Sequence, residues 1–89
     1  MTEVQQLIQL TKDTFEIEQG ETFTYTIRVD DGEHSYKLEE CYNPQDALEA
    51  YYKELALGPR PEQGIKVLEL CVENDGYCDT FLSEDWMNS

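Results

Sequence analysis

Between Thr22 and Glu39 the chain reads TFTYTIRVDDGEHSYKLE, and no other stretch limits the possible folds as much. Phe23, Tyr25, Ile27 and Val29 alternate with Thr22, Thr24, Thr26 and Arg28. Successive side chains leave a strand on opposite sides, so this period of two in β-branched and aromatic residues marks a strand with one buried face. Asp31-Gly32 supplies a type I′ turn, because both residues tolerate positive φ. Closing there pairs Asp30 with Glu33, Ile27 with Tyr36 and Tyr25 with Leu38. Thr26 then meets Lys37 and Thr24 meets Glu39 on the polar face. Upstream, Thr14 to Glu18 also alternates, with Phe15 and Ile17 apolar. A loop over Gln19-Gly20-Glu21 sets Ile17 against Phe23 and Phe15 against Tyr25. The expectation is a three-stranded antiparallel meander whose polar face carries Glu16, Glu18, Thr24, Lys37 and Glu39.

Helical signals flank this sheet. Thr2 and Gln5 fit a capping box, and over residues 2–12 Val4, Leu7 and Ile8 share one face. A helix this short needs a sheet to dock on. Asn43-Pro44 opens a second helix with an N-cap and a first-turn proline, and Asp46 sits where the helix dipole favours an anion. Leu48, Tyr51, Tyr52 and Leu55 form its buried stripe, and Gly58-Pro59 ends it. Pro59 to Gly64 reads as a short linker. Ile65 to Glu73 is apolar on both faces, with Leu68, Leu70 and Val72 opposite Ile65, Val67 and Cys71, as in an interior strand or one covered by a partner. A helix over 62–73 is the alternative, since Ile65, Leu68 and Val72 also fit helical spacing. Asn74-Asp75-Gly76 marks a turn, and Tyr77 to Leu82 returns as a strand. Ser83 to Ser89 reads as a tail or a single helical turn, with Trp86 either tucked in or exposed. The expected fold class is α+β. A single domain over residues 1–89 has two layers, an antiparallel meander with helices on one face, in the order α-β-β-β-α-β(-β).

Most chemistry is argued against by the residues present. The only histidine, His34, falls one residue past the hairpin turn, a poor place for a preorganised base. No GxSxG, P-loop, GxGxxG or HExxH pattern occurs. No CxxC or HxxxH spacing suggests a metal. The expectation is therefore no enzyme, no cofactor and no metal. The three cysteines, Cys41, Cys71 and Cys78, read as reduced thiols, and Cys71 and Cys78 could face each other across a second hairpin. No run approaches the length of a membrane helix, and the N-terminus lacks a signal-peptide pattern, so a soluble cytoplasmic protein is expected.

Charge is the unusual feature. Twenty acids face six lysines and arginines, for a net charge of -14 on 89 residues. A hydrophobic fraction of 39% still suffices for a core, so the charge does not by itself imply disorder. Asp30, Asp31 and Glu33 cluster at the hairpin tip, with Glu39 and Glu40 beyond. Nothing basic follows Lys66, whereas Asp75, Asp79, Glu84 and Asp85 do. Such a surface repels DNA and anionic membranes. An array of carboxylates on a rigid domain can instead imitate the phosphates of a nucleic acid and engage the cations that hold its backbone. Tyr77 and Trp86 would be apolar anchors in such an interface. Tyr42 is a further exposed aromatic or, alternatively, packs onto the following helix.

The segment from Leu7 to about Leu57, and IRVDDGEHSYKLEE over Ile27 to Glu40 in particular, resembles small acidic phage anti-CRISPR proteins in size, charge and order of elements. That resemblance implies a short N-terminal helix, a three-stranded antiparallel sheet and helical structure after it. It also implies an acidic surface that occupies the DNA-reading site of a CRISPR effector nuclease. Residues 58–89 depart from that layout, with Gly-Pro breakers and a strand. The expected partner is a protein with a basic nucleic-acid groove. The other reading is a small protein-interaction or regulatory module whose acidity serves solubility. Its partner, or a second copy in a homodimer, would dock on the strand Ile65–Val72.

Overall fold

A computed structural model of the chain describes residues 2–16, 19–20, 22–58, 67–74 and 77–86. Two helices lie on one face of an antiparallel sheet. The elements run α1 (Glu3–Thr14), β1 (Thr24–Asp30), β2 (Ser35–Cys41), α2 (Pro44–Leu57), β3 (Val67–Asn74) and β4 (Tyr77–Asp85). The sheet order is β2-β1-β3-β4, so the chain leaves β2, crosses through α2 and returns on the far side of β1.

Both helices begin where local hydrogen bonding starts them. Thr2 Oγ1 accepts from the Gln5 N–H at 3.2 Å, and Gln5 Oε1 accepts from the Thr2 N–H at 2.9 Å. This capping box satisfies two donors that a helix start leaves unpaired. Asn43 Oδ1 accepts from the Asp46 N–H at 2.8 Å, with Pro44 at the first helical position. Gly58, at φ 78°, ends α2 and donates to the Glu54 and Leu55 carbonyls. The buried stripe of α1 differs from expectation: Leu7 and Thr11 are buried, while Ile8 is partly exposed. Thr11 tolerates burial because its hydroxyl donates to the Leu7 carbonyl at 2.7 Å and accepts from the Tyr25 hydroxyl at 3.1 Å. In α2 the buried residues are Ala47, Leu48 and Tyr51. Tyr52 turns outward instead, where its hydroxyl reaches the Glu3 carboxylate.

The core lies between the helices and the two central strands. Tyr25, Ile27 and Val29 stand opposite Val72, Leu70 and Leu68, and Leu7, Phe15, Ala47, Leu48 and Tyr51 close over them. The strand expected over Thr14–Glu18 does not form within the described part of that segment. Helix α1 continues to Thr14, and Phe15 turns inward to stack on Phe23 at 6.2 Å. β3 takes that place beside β1, because three fully buried aliphatic residues gain more from burial than Phe15 and Ile17 could. Ile17, Glu18 and Glu21 lie outside the described residues, as do the Pro59–Gly64 linker, Ile65, Lys66, Asp75-Gly76 and 87–89. The order is thus α-β-β-α-β-β. β3 is the interior strand that its two apolar faces imply, and the helical alternative over 62–73 does not hold for 67–73. With β1 and β4 on its two edges, β3 cannot accept a second copy by strand pairing. Ser83–Asp85 extends β4 rather than forming a tail, and Trp86 packs partly buried against the core.

The hairpin register also differs. Asp30 pairs with Ser35, Val29 with Tyr36 and Arg28 with Lys37. The ladder bulges at Ile27/Arg28, after which Ile27 pairs with Glu39 and Tyr25 with Cys41. Side-chain hydrogen bonding at the turn is the cause. Asp31 Oδ1 accepts from the N–H groups of Glu33 and His34 at 2.9 and 2.7 Å, and Asp30 Oδ1 accepts from Gly32 at 2.6 Å. These carboxylates hold a longer turn, Asp31 to His34, with Gly32 at φ 98°. The apolar side chains of β2 therefore stay partly outside the core: Tyr36 is 50% exposed and Leu38, in the bulge, 42%. Bulges of this kind bend an edge strand away from further pairing.

Candidate protein interface

The register decides which of the candidate carboxylates share a surface. Asp30, Val67 and Asp85 occupy one row across β1, β3 and β4. Strand spacing of about 4.8 Å puts Asp30 and Asp85 about 10 Å apart. The neighbouring row holds Tyr36, Val29, Leu68 and Glu84. Asp31 and Glu33 stand in the turn just beyond, and Trp86 follows at the end of β4. One end of the sheet therefore gathers Asp30, Asp31, Glu33, Glu84, Asp85 and Trp86 from two segments far apart in the chain.

Within this end the carboxylates have different surroundings. Hydrogen bonds from the His34 and Glu33 amides hold the Asp31 carboxyl below the usual carboxylate range, with the Tyr36 hydroxyl adding a further bond at 3.2 Å. The Tyr36 phenol is raised in turn, mainly by that bond to Asp31. His34 stacks on Tyr36 with ring centroids 6.2 Å apart, so the lone histidine is part of the turn's packing. Glu84 belongs to the helix side of the sheet. Burial first, then the nearby Glu84 carboxylate, pushes the Tyr51 phenol up to about 12.

The other candidates stand elsewhere. Glu40 lies opposite Thr26, four positions along the ladder from Asp30, or about 13 Å. Glu39 pairs with Ile27. Asp79 pairs with Val72 and Tyr77 with Asn74, at the opposite end of β4 from the tip. Asp79 accepts a hydrogen bond from Thr14 Oγ1, and Tyr77 packs edge-on against Phe15. Both join the first helix to the sheet, although Tyr77 keeps 57% of its surface exposed. Asp75 is outside the described residues.

Two features were not visible from the sequence. Arg28 and Lys37, paired in the ladder, both turn to Glu73 at 3.5 and 3.3 Å, and Lys37 also approaches Glu40 at 3.7 Å. These pairs engage Arg28 and Lys37 on the sheet face away from the helices. A groove of about 530 Å³ also opens between the end of β2 and α2, lined by Glu39, Glu40, Tyr42, Asp46 and Glu49 among others. Tyr42, 76% exposed, stands at its side and does not pack over the helix start. The Asn43-Pro44 cap was the available signal, because it sets Asp46 and Glu49 on consecutive turns facing back toward β2.

Among the described residues no group of histidine, cysteine and carboxylate side chains is arranged to hold a metal. No described helix is long and apolar enough to cross a membrane. No protein-family model, curated protein or solved structure matches this chain.

Proposed function

We propose that this chain is a non-enzymatic inhibitor from a phage or mobile element. It occupies a basic nucleic-acid-binding site of a host defence effector, of the CRISPR type, as an acidic mimic of DNA. The observation that carries this reading is the acidic end of the sheet, where Asp30, Asp31, Glu33 and Asp85 converge from β1, its turn and β4, with Glu84 behind them on the helix side. Asp30 and Asp85, two strands apart at about 10 Å, are held at a spacing set by the ladder, and a cationic groove that binds phosphates would meet them as a fixed array of negative charge. Their convergence works against stability through like-charge repulsion, and a cationic partner would relieve it. Glu39 and Glu40 extend the acidic surface along β2, and Trp86 offers an aromatic surface beside the tip. Asp79 and Tyr77 act in the fold on this reading.

The test is capture of effectors from nuclease-treated bacterial lysate on the tagged protein, at low and high salt. Recovery of a nucleic-acid-binding effector that is released by salt and displaced by duplex DNA is expected. A partner retained equally at both salt concentrations, and indifferent to DNA, would refute the mimic.

A further inference from the structure

Away from the acidic end, β3 and β4 bring two thiols together. Cys71 pairs with Thr80 and Cys78 with Glu73, so the cysteines are diagonal neighbours on the sheet face opposite the helices. Cys71 is 0% exposed, whereas Cys78, the second residue of β4, is open to solvent. The Cys71 thiol approaches the Glu69 carboxylate at 3.6 Å and the Thr80 hydroxyl at 3.7 Å, and it interacts with the Cys78 thiol. Cys41 belongs to the other face, buried beside Tyr25.

We infer that Cys78 is a thiol-modification site for small disulfides, cationic ones above all, and that Cys71 resolves the adduct into a Cys71–Cys78 disulfide. Three observations support this. Only Cys78 is accessible to a reagent. The chain carries a net charge of -14 and Glu69 stands beside Cys71, although Glu73, opposite Cys78, is paired with Arg28 and Lys37 and Asp79 faces the helices; the overall field attracts an ammonium-bearing disulfide and repels an anionic one. The ladder bulges between Leu70 and Cys71. Diagonal neighbours stand roughly 7–8 Å apart, just beyond the Cα separation that a disulfide usually spans, and the bulge adjoining Cys71 on its Leu70 side gives the ladder a place to yield as the two strands draw together.

The chemistry balances as thiol–disulfide exchange. The Cys78 thiolate attacks one sulfur of the reagent, forming a mixed disulfide and releasing one small thiolate, which takes up a proton. The Cys71 thiolate then attacks the Cys78 sulfur and releases the second small thiol. Two protein thiols are oxidised and the reagent is reduced to two thiols. Burial above all, with the Cys78 thiol and the Glu69 carboxylate adding to it, pushes the Cys71 thiol up to about 12. Glu69 and Glu73 on β3 flank it, with Arg28 on β1 two positions beyond Thr26, opposite Glu69, and Lys37 on β2 reaching Glu73. The second attack is therefore the slow one and quickens as pH rises.

The experiment treats the full chain with cystamine or oxidised glutathione at low and high salt, followed by intact mass and tryptic mapping. Lys66 is the last basic residue, so one tryptic peptide carries both Cys71 and Cys78 and none carries Cys41 with them. The expected product is that peptide lighter by two hydrogens. Cystamine should outpace glutathione disulfide by about tenfold at low salt, and the gap should narrow at high salt. C71S should stop at the mixed disulfide, C78S should not react unless denatured, and circular dichroism should show both folded. A parent protein that keeps the adduct on Cys78 while Cys71 stays alkylatable overturns the resolving step. Equal reaction of C78S and parent, or equal rates for the two reagents at low salt, overturns the site or its charge preference.

Discussion

The Thr14 hydroxyl donates to the Asp79 carboxylate at 3.1 Å, tying the last turn of α1 to the outermost strand β4. The bond spans 65 positions of sequence and joins the two elements that flank the far side of the core. Beside it Phe15 meets Tyr77 edge to face. Asp79 therefore differs from the other acids that the sequence marked for partner binding.

Replacing Asp79 by Ala should lower stability by about 1 kcal/mol, the usual loss for a partly buried hydrogen bond. Urea denaturation measures it. Affinity for a basic partner should be unchanged, and a stable variant with weakened binding would return Asp79 to the interface.

Thr26 offers the opposite case. It is 0% exposed, lies on the sheet face opposite the helices, and its hydroxyl oxygen has no hydrogen-bond partner among the described residues. A buried hydroxyl without a partner is costly, and valine has nearly its shape. Thr26→Val should raise stability by about 1 kcal/mol, or the melting temperature by about 4–8 °C. A lower melting point would mean that the hydroxyl is bonded in solution.

The hairpin tip should respond to acid. Asp31 is held below its ordinary value of 3.8 by amides that favour the carboxylate. A depressed folded value means that the contribution is complete above the unfolded value and is lost as pH falls through the folded one. Amide protection at Glu33 and His34 should therefore hold near neutrality and fade below about pH 4. Tyr36 has the reverse sign at the other extreme. Its phenol is raised from 10.0, so its contribution is complete below that value and fades as pH rises above it. Titration by NMR measures both, and an Asp31 value at or above the ordinary one would remove the account of the long turn.

Neutralising Asp30 and Glu33 together, as Asn and Gln, should weaken a basic partner by about tenfold at low salt and flatten the salt dependence. Stability should hold or rise, since self-repulsion at the tip falls. Binding titrations at two ionic strengths provide the check. Unchanged affinity in the double variant would place the interface away from the tip.

Local signals in the chain translated directly into structure. The Thr2–Gln5 box, the Asn43-Pro44 start and the Gly58 stop depend on residues a few positions apart, and each forms as read. The double apolar face of Leu68, Leu70, Cys71 and Val72 marked an interior strand for the same reason, because only a strand covered on both sides can bury both sets. The alternation in Thr24–Asp30 likewise placed Tyr25, Ile27 and Val29 in the core.

What the sequence could not settle were choices between competing partners. Thr14–Glu18 and Val67–Asn74 could both have paired with β1, and the outcome depended on which buried more apolar surface against the helices. The hairpin turn depended on hydrogen bonds that the Asp30 and Asp31 carboxylates accept from backbone amides, which outweighed the shorter turn that Asp-Gly favours and moved the β2 register. The candidate interface followed from these choices. Composition established that the chain is strongly acidic, a property of residues counted one by one. Only the sheet order, by setting β3 between β1 and β4, brought Asp30 into a row with Asp85 and sent Asp79 to the opposite end, because proximity across a sheet is fixed by pairing and not by distance along the chain.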